Sequence, residues 1–480
     1  MQCSTCGAQV RDDAKFCTSC GAPMSASPTA PSEAQTTASD EFQARWPFIA
    51  GAIGLVIVGL VVGLVLVTGG SDDSDAPSAK TSPPKTAPRQ TRPAQTEPPQ
   101  TAPPRTAPPP TAAPATFAAS ELHGVTCASP STCFAVGSSF GKDGYYTAGQ
   151  TLIQRWDGTD WSVVASPSPA GARYSELIDV ACPSPRSCFA VGVSTTGPGN
   201  GVRAPLTEHW DGSNWSIMTT PALPSGTQGS LHGVACTSDR GCFAVGDETT
   251  KPLAELWDGT TWTIVPSGLP AGADSSYLWD VACSLPDRGV LPTRAASKCL
   301  AVGGASPSGG SIEPMVQQWQ GTSWSIIASP SGEASLAGVA CLDETSCVAV
   351  GAASGLPESA GGLVAQWDGA NWAIIPTPYP ASTDGYIGAL ASVACSNTAS
   401  CTSVGNVGPP EESTPLVEQW DGATWSAVTV PAAPGSSDLR SVACPSTTVC
   451  FAVGAANGDT FEGRPLIEQW DGTSWSEVSS

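Results

Sequence analysis

The sequence predicts an all-β fold, a seven-bladed β-propeller, joined to a small zinc ribbon and one transmembrane α-helix. Three observations predict it: a unit that recurs seven times after residue 117, a cysteine pair in every copy, and one long uncharged apolar run near the N-terminus. Composition agrees. Only 13% of the 480 residues are charged, while Gly (51), Pro (45) and Trp (16) are abundant, which suits short strands and many turns.

Each unit opens on a line such as LHGVTCASPSTCFAVG and closes on one such as LIQRWDGTDWSVV, with a period of 47 to 58 residues. The closing line is anchored at Trp156, Trp210, Trp257, Trp319, Trp367, Trp420 and Trp470. A second tryptophan follows five residues later in every copy, from Trp161 to Trp475. VAC and CFAVG are β-prone runs around a polar loop, and the Asp-Gly dipeptide is a strong hairpin signal, so one unit makes two hairpins and a four-stranded sheet. The four-residue loop sets its two tryptophans opposite each other, where they can pack against the neighbouring sheet. One such sheet cannot hide both faces. Radial stacking solves this, and a repeat of about 50 residues with four strands is the pattern of propeller blades. No closing strand is evident. Either the first and last blades pack edge to face, or the blade boundary cuts through this unit.

The cysteines count the blades a second time. The pairs are Cys127 and Cys133, Cys182 and Cys188, Cys236 and Cys242, Cys283 and Cys299, Cys341 and Cys347, Cys395 and Cys401, and Cys444 and Cys450. Paired cysteines flanking a hairpin loop read as disulfides, which persist in an oxidising compartment, so the propeller (117–480) is expected outside the cell. With four more at the N-terminus, all 18 cysteines are used and no nucleophilic thiol is spare.

Those four, Cys3, Cys6, Cys17 and Cys20, have C-x2-C-x10-C-x2-C spacing with Gly7 and Gly21 directly after the pairs. Two tight turns bring four thiolates to a tetrahedral, structural Zn2+, and a segment too short for its own core (1–23) needs the metal to fold. Residues 24–45 read as a flexible linker. From Trp46 to Thr68 there are 23 residues without a charge, enough to cross about 30 Å of hydrocarbon (46–68). Arg45 before it and Asp72, Asp73 and Asp75 after it favour a cytoplasmic N-terminus in a single-pass protein of the cell membrane. Gly59 and Gly63 form a GxxxG pair through which a homodimer could assemble. Residues 69–116 are Pro- and Thr-rich, a disordered stalk whose extended length is on the order of 140 Å.

The line CSTCG…CTSCG resembles the short zinc ribbons at the N-termini of many bacterial membrane proteins, which implies a docking module for a cytoplasmic partner. The whole plan, zinc ribbon, one helix and WDG-type repeats, resembles uncharacterised membrane proteins of actinobacterial type. The Asp-Gly-x-x-Trp segment is similar to the Asp-box of bacterial sialidases, a structural turn, with one residue fewer between Asp and Gly. That resemblance implies that Asp157 and its equivalents cap their own turn, and Gln320 in the fourth copy argues against shared chemistry there.

Charge excludes one class of partner. Residues 117–480 carry 12 Lys and Arg against 33 Asp and Glu, and so acidic a surface repels nucleic acid. No catalytic motif is present. His123 and His232 share one place in copies one and three, where others carry Trp279, Ala337 or Ala391, a variability that suits a packing or rim position. The expectation is therefore a recognition or scaffold protein, not an enzyme, whose propeller binds an extracellular protein or envelope glycan. The alternative is a surface glycan hydrolase or lyase with acids at the propeller mouth. Copy four breaks the symmetry most, with a longer loop from Ser284 to Lys298.

Overall fold

The computed structural model describes residues 119–479, apart from 142–148, 198–200, 285–297, 309, 354–361, 378–387, 410–411, 432, 434 and 458–462. The zinc ribbon, linker, apolar run and stalk fall outside the described residues, as does most of the fourth-copy insertion. Among the described residues no helix is long and apolar enough to cross a membrane.

Twenty-eight strands among the described residues form seven four-stranded antiparallel sheets, each in simple chain order, so one sequence copy is one blade. Blade 1 spans 119–164 and blade 7 spans 437–477, with no strand exchanged between them. This fixes the blade phase that the repeat left open.

The Asp-Gly turn behaves as its residues dictate. In blade 1 one Asp157 carboxylate oxygen accepts the Thr159 hydroxyl at 2.7 Å and the backbone N–H of Asp160 and Thr159 at 3.0 and 2.9 Å, and these bonds, the hydroxyl's foremost, hold the carboxyl down at about 2. Gly158 has φ +105°, a conformation that side chains rarely adopt. Across the turn Trp156 pairs directly with Trp161. In blade 4 Gln320 keeps the backbone turn to Ser323 while its side chain turns away to Gln318.

The core lies between the blades, in seven wedges, each built from two neighbours. In three wedges the phenylalanine of the CFAVG line enters the next blade's tryptophan pair. Phe134, for example, meets Trp210 and Trp215 at 5.3 Å each. The seam between blades 7 and 1 is made the same way, with Phe451 against Trp156 and Trp161 at 5.1 and 5.3 Å. Blades 4 to 6 carry Leu300, Val348 and Thr402 at this place. Each cysteine pair forms a disulfide joining the first two strands of its blade, with Cα atoms 4.0 to 4.1 Å apart.

The wedges also hide acids. Two residues before the first tryptophan of the pair stand Glu208, Glu255, Glu418 and Glu468, all 0% exposed. Burial pushes Glu208, Glu255 and Glu468 up to about 8 and Glu418 to about 7, so these carboxyls fold largely protonated. Glu208 receives the Ser166 hydroxyl from the connection between blades 1 and 2 at 3.1 Å. Gln317 makes the corresponding link in blade 4, accepting from Ser267 and donating to the Gly268 carbonyl, both at 2.9 Å.

Candidate functional site: the axial cavity

In the first strand of every blade the pairing slips by one residue at the same point, between Leu122 and Gly124 in blade 1 and at the equivalent leucine elsewhere. Opposite the slip stands the glycine of the CFAVG line. A Cβ on Gly137 would lie 2.0 Å from the carbonyl oxygen of Glu121, and Gly192, Gly246, Gly303 and Gly351 each face the equivalent carbonyl of their own blade at the same distance. Only glycine leaves room for this bulge, and a bulge re-aims the extra side chain. Those side chains are His123, Ile178, His232 and Trp279 in blades 1 to 4, and Ala337, Ala391 and Arg440 in blades 5 to 7. All seven line one cavity of about 340 Å3, which therefore lies on the propeller axis.

His123 and His232 are thus not rim residues, as their variability suggested. They face the axis. Each bulge turns its residue out of the wedge and toward the axis, where it is free to differ.

The two histidines are held in opposite ways. In the sector of blades 7, 1 and 2, the Arg440 Nη1 lies 2.8 Å from a Glu121 oxygen and 3.1 Å from His123 Nδ1, and its Nε lies 2.9 Å from Asp438. An arginine can only donate, so Nδ1 accepts and the His123 proton sits on Nε2. That atom faces Glu121 at 3.2 Å and Glu176 at 3.7 Å, and the Tyr174 hydroxyl donates to Glu176 at 2.6 Å. Burial works against the Arg440 charge, but Asp438 and Glu121 more than offset it and hold the group charged. Glu121, His123 and Glu176 bring their ligand atoms within 4.8 Å of one another, close enough for a metal ion. With Nε2 protonated, however, the imidazole offers no lone pair there, and the cluster reads as a charge-matched group around Arg440.

In blade 3 the roles reverse. His232 Nδ1 lies 3.1 Å from the Leu278 carbonyl and must donate to it. Nε2 then faces Ser230 at 2.9 Å and Asp247 at 3.2 Å. Burial opposes ionisation of Asp247, yet the His232 ring when it carries both protons, and the Ser230 hydroxyl donating at 2.7 Å, hold its carboxyl below the usual range. The imidazole stacks on Trp279 with centroids 4.5 Å apart and planes at 27°, and Tyr277 meets the same indole edge-on at 5.4 Å. Trp279 is nevertheless 41% exposed.

The residue after the bulge binds the blades together. Asp179 and Asp280 each accept the backbone N–H of the next blade, Val234 and Val339, at 2.8 Å. Ser441 accepts from Val125 at 3.1 Å, across the seam. Burial raises both aspartates, Asp280 to about 6, and the charge of Asp280 raises Asp179 further.

Residues 2–24 match the zinc-ribbon domain family. The match contains Cys3, Cys6, Cys17 and Cys20, a donor set that fits tetrahedral Zn2+. Among curated proteins none matches the chain by sequence. Solved propellers do superpose on it. A xyloglucanase from Xanthomonas campestris shares 14% identity at TM-score 0.49, over 75% of this chain and 54% of its own. A puromycin-hydrolyzing peptidase of Mycobacterium tuberculosis shares 13% at 0.47, over 76% and 53%. An ulvan lyase, a polysaccharide lyase, shares 8% at 0.45, over 76% and 97%. This chain thus spans about half the length of the first two. The expectation that the protein is not an enzyme is corrected here, because the similar propellers are mostly enzymes. A site assembled from separate blades has no linear motif, so a missing motif excludes nothing. At such identities these likenesses assign no reaction.

Proposed function

We propose that this is a membrane-anchored recognition protein whose extracellular propeller captures a ligand in its axial cavity. One observation carries the reading: repeats that share one wedge plan diverge at the bulge residues facing the axis, where His123, His232, Trp279 and Arg440, with Asp179 and Asp280 beside them, surround about 340 Å3. Seven disulfides support an oxidising location, and the uncharged run 46–68 supports anchoring. Cys3, Cys6, Cys17 and Cys20 would hold a structural Zn2+ in the cytoplasmic ribbon, as a docking point for a second partner.

The test uses the full chain, immobilised and oxidised, against envelope polysaccharides and secreted proteins of the host, in parallel with Ala337→Trp, which fills the cavity. Retention by the parent and its loss in the folded variant is the expected result. Retention that survives the filled cavity moves the site elsewhere.

A second reading, cleavage of a glycan at the same cavity, is favoured by the titratable cluster at His123, whose Nε2 has Glu121 at 3.2 Å and Glu176 at 3.7 Å, the latter accepting from the Tyr174 hydroxyl. Product analysis of any retained glycan decides it, with Glu176→Gln as the variant expected to abolish cleavage.

A further inference from the structure

We infer that the axial cavity binds one neutral saccharide residue, its ring laid on the open face of Trp279. This rests on the recognition reading above and gives its ligand a chemical class. His232 covers one face of the indole and Tyr277 fixes its edge, so the remaining exposed surface is a rigid apolar platform in a cavity that also carries carboxyl, hydroxyl and guanidinium groups. An exposed tryptophan held in place from two sides needs a flat apolar partner to cover it. A sugar ring has such a face in its C–H bonds and a rim of hydroxyls, each able to donate and accept.

The cavity matches that rim with both kinds of group. Asp179 and Asp280 supply acceptors. Each spends oxygen lone pairs on the next blade's N–H, but a carboxylate has about four sites in all. Ser441 accepts from Val125 and keeps its proton for donation. Arg440 engages Nε and Nη1 with Asp438, Glu121 and His123, and its Nη2 makes no hydrogen bond to a described residue. A fixed donor therefore faces the same cavity as the two acceptors.

Charge and size narrow the class further. The Arg440 cation is matched by Glu121 and Asp438, and the remaining titratable groups lining the cavity include Asp179 and Asp280, so among the described residues no unmatched cation is left to pair with an anionic sugar. A cavity of about 340 Å3 is at the small end of ligand pockets, suited to the end of a glycan and too small for a protein loop.

The test titrates the full chain with methyl glycosides of glucose, galactose, mannose and N-acetylglucosamine, with glucuronic acid as the anionic comparison. Binding is followed by calorimetry and saturation-transfer NMR. At least one neutral glycoside should bind below about 10 mM, with transfer concentrated on one C–H face. Trp279→Ala should weaken it about ten-fold or more, Trp279→Phe less, and glucuronic acid should bind at least about ten-fold more weakly than the best neutral glycoside. Near-UV circular dichroism of the other tryptophans shows whether each variant is folded. No glycoside binding at that concentration would overturn the saccharide class, and retention of a protein ligand sensitive to Ala337→Trp would still uphold recognition. Glycoside binding unchanged in folded Trp279→Ala would overturn the platform.

Discussion

The wedges between the blades and the ring of side chains on the axis are built from the same seven repeats, yet they obey opposite rules. In the wedges every copy does the same thing. A tryptophan pair faces a neighbour, a disulfide ties the first hairpin, and four blades bury a protonated glutamate at one position. On the axis the residue changes from blade to blade, apart from Ala337 and Ala391 in blades 5 and 6, although each blade presents it at the same bulge. Repetition builds the frame, and departure from it builds the site. Position is set by the glycine opposite the bulge, whereas chemistry is set by whichever blade stands alongside. His123 and His232 make the point: one repeat position yields opposite tautomers, because Arg440 donates to one ring and the Leu278 carbonyl accepts from the other.

The largest effect should come from breaking a wedge. Phe451→Ala removes a fully buried ring from the seam and should cost about 3–5 kcal/mol in chemical denaturation, close to the cost of Phe134→Ala at an ordinary interface. A much larger cost at the seam would show that the two joints are not equivalent. On the axis, Arg440→Ala leaves the Glu121 carboxylate buried with its charge unmatched and should cost about 3 kcal/mol. Adding Glu121→Gln should recover part of that loss, as a double-mutant cycle would report.

Acidity separates the regions next. Glu255 is raised from 4.5 to about 8, so the folded state binds its proton more tightly than the unfolded chain does. Its stabilising contribution is complete below about pH 4.5 and disappears as pH climbs through about 8; Glu208, Glu418 and Glu468 act in the same sense. Unfolding midpoints should therefore fall between pH 5 and 8. Glu255→Gln should flatten part of that slope and gain about 1–2 kcal/mol at pH 8 while changing little at pH 5. Asp247 runs the other way. Held below 3.8, it contributes stability above that value that is lost on acidification, so Asp247→Asn should be most costly at neutral pH. The smallest effect involves no stability change. Imidazole nitrogen shifts above pH 8 should report the Nε2–H tautomer for His123 and Nδ1–H for His232. Matching tautomers would break the contrast between the sectors.

The frame was legible because its signals are local. Asp-Gly between tryptophans encodes a hairpin within six residues, and cysteines six apart encode a tied turn. The axis was not, because no short window contains it: Arg440 and His123 touch across 317 positions of sequence. A usable clue existed in the glycine of CFAVG. A glycine at the same interior strand position of all seven copies implies a bulge, and the residue opposite it is the one re-aimed. The buried glutamates were hidden for another reason. In a strand such as PLTEHW a carboxylate reads as solvent-facing, and only its neighbours show that it folds uncharged.

Because the seam between blades 7 and 1 uses the same contacts as other joints and exchanges no strand, the ring has no privileged starting point. Joining residue 479 to 119 through a short linker and opening the chain at any blade connection would preserve all seven wedges. Permutation would move the tether around the ring while leaving the axial residues in their cyclic order. Duplication or loss of a unit changes the number of sides of this polygon without changing how any corner is made, so the lineage of such a protein could vary its bore and its lining separately.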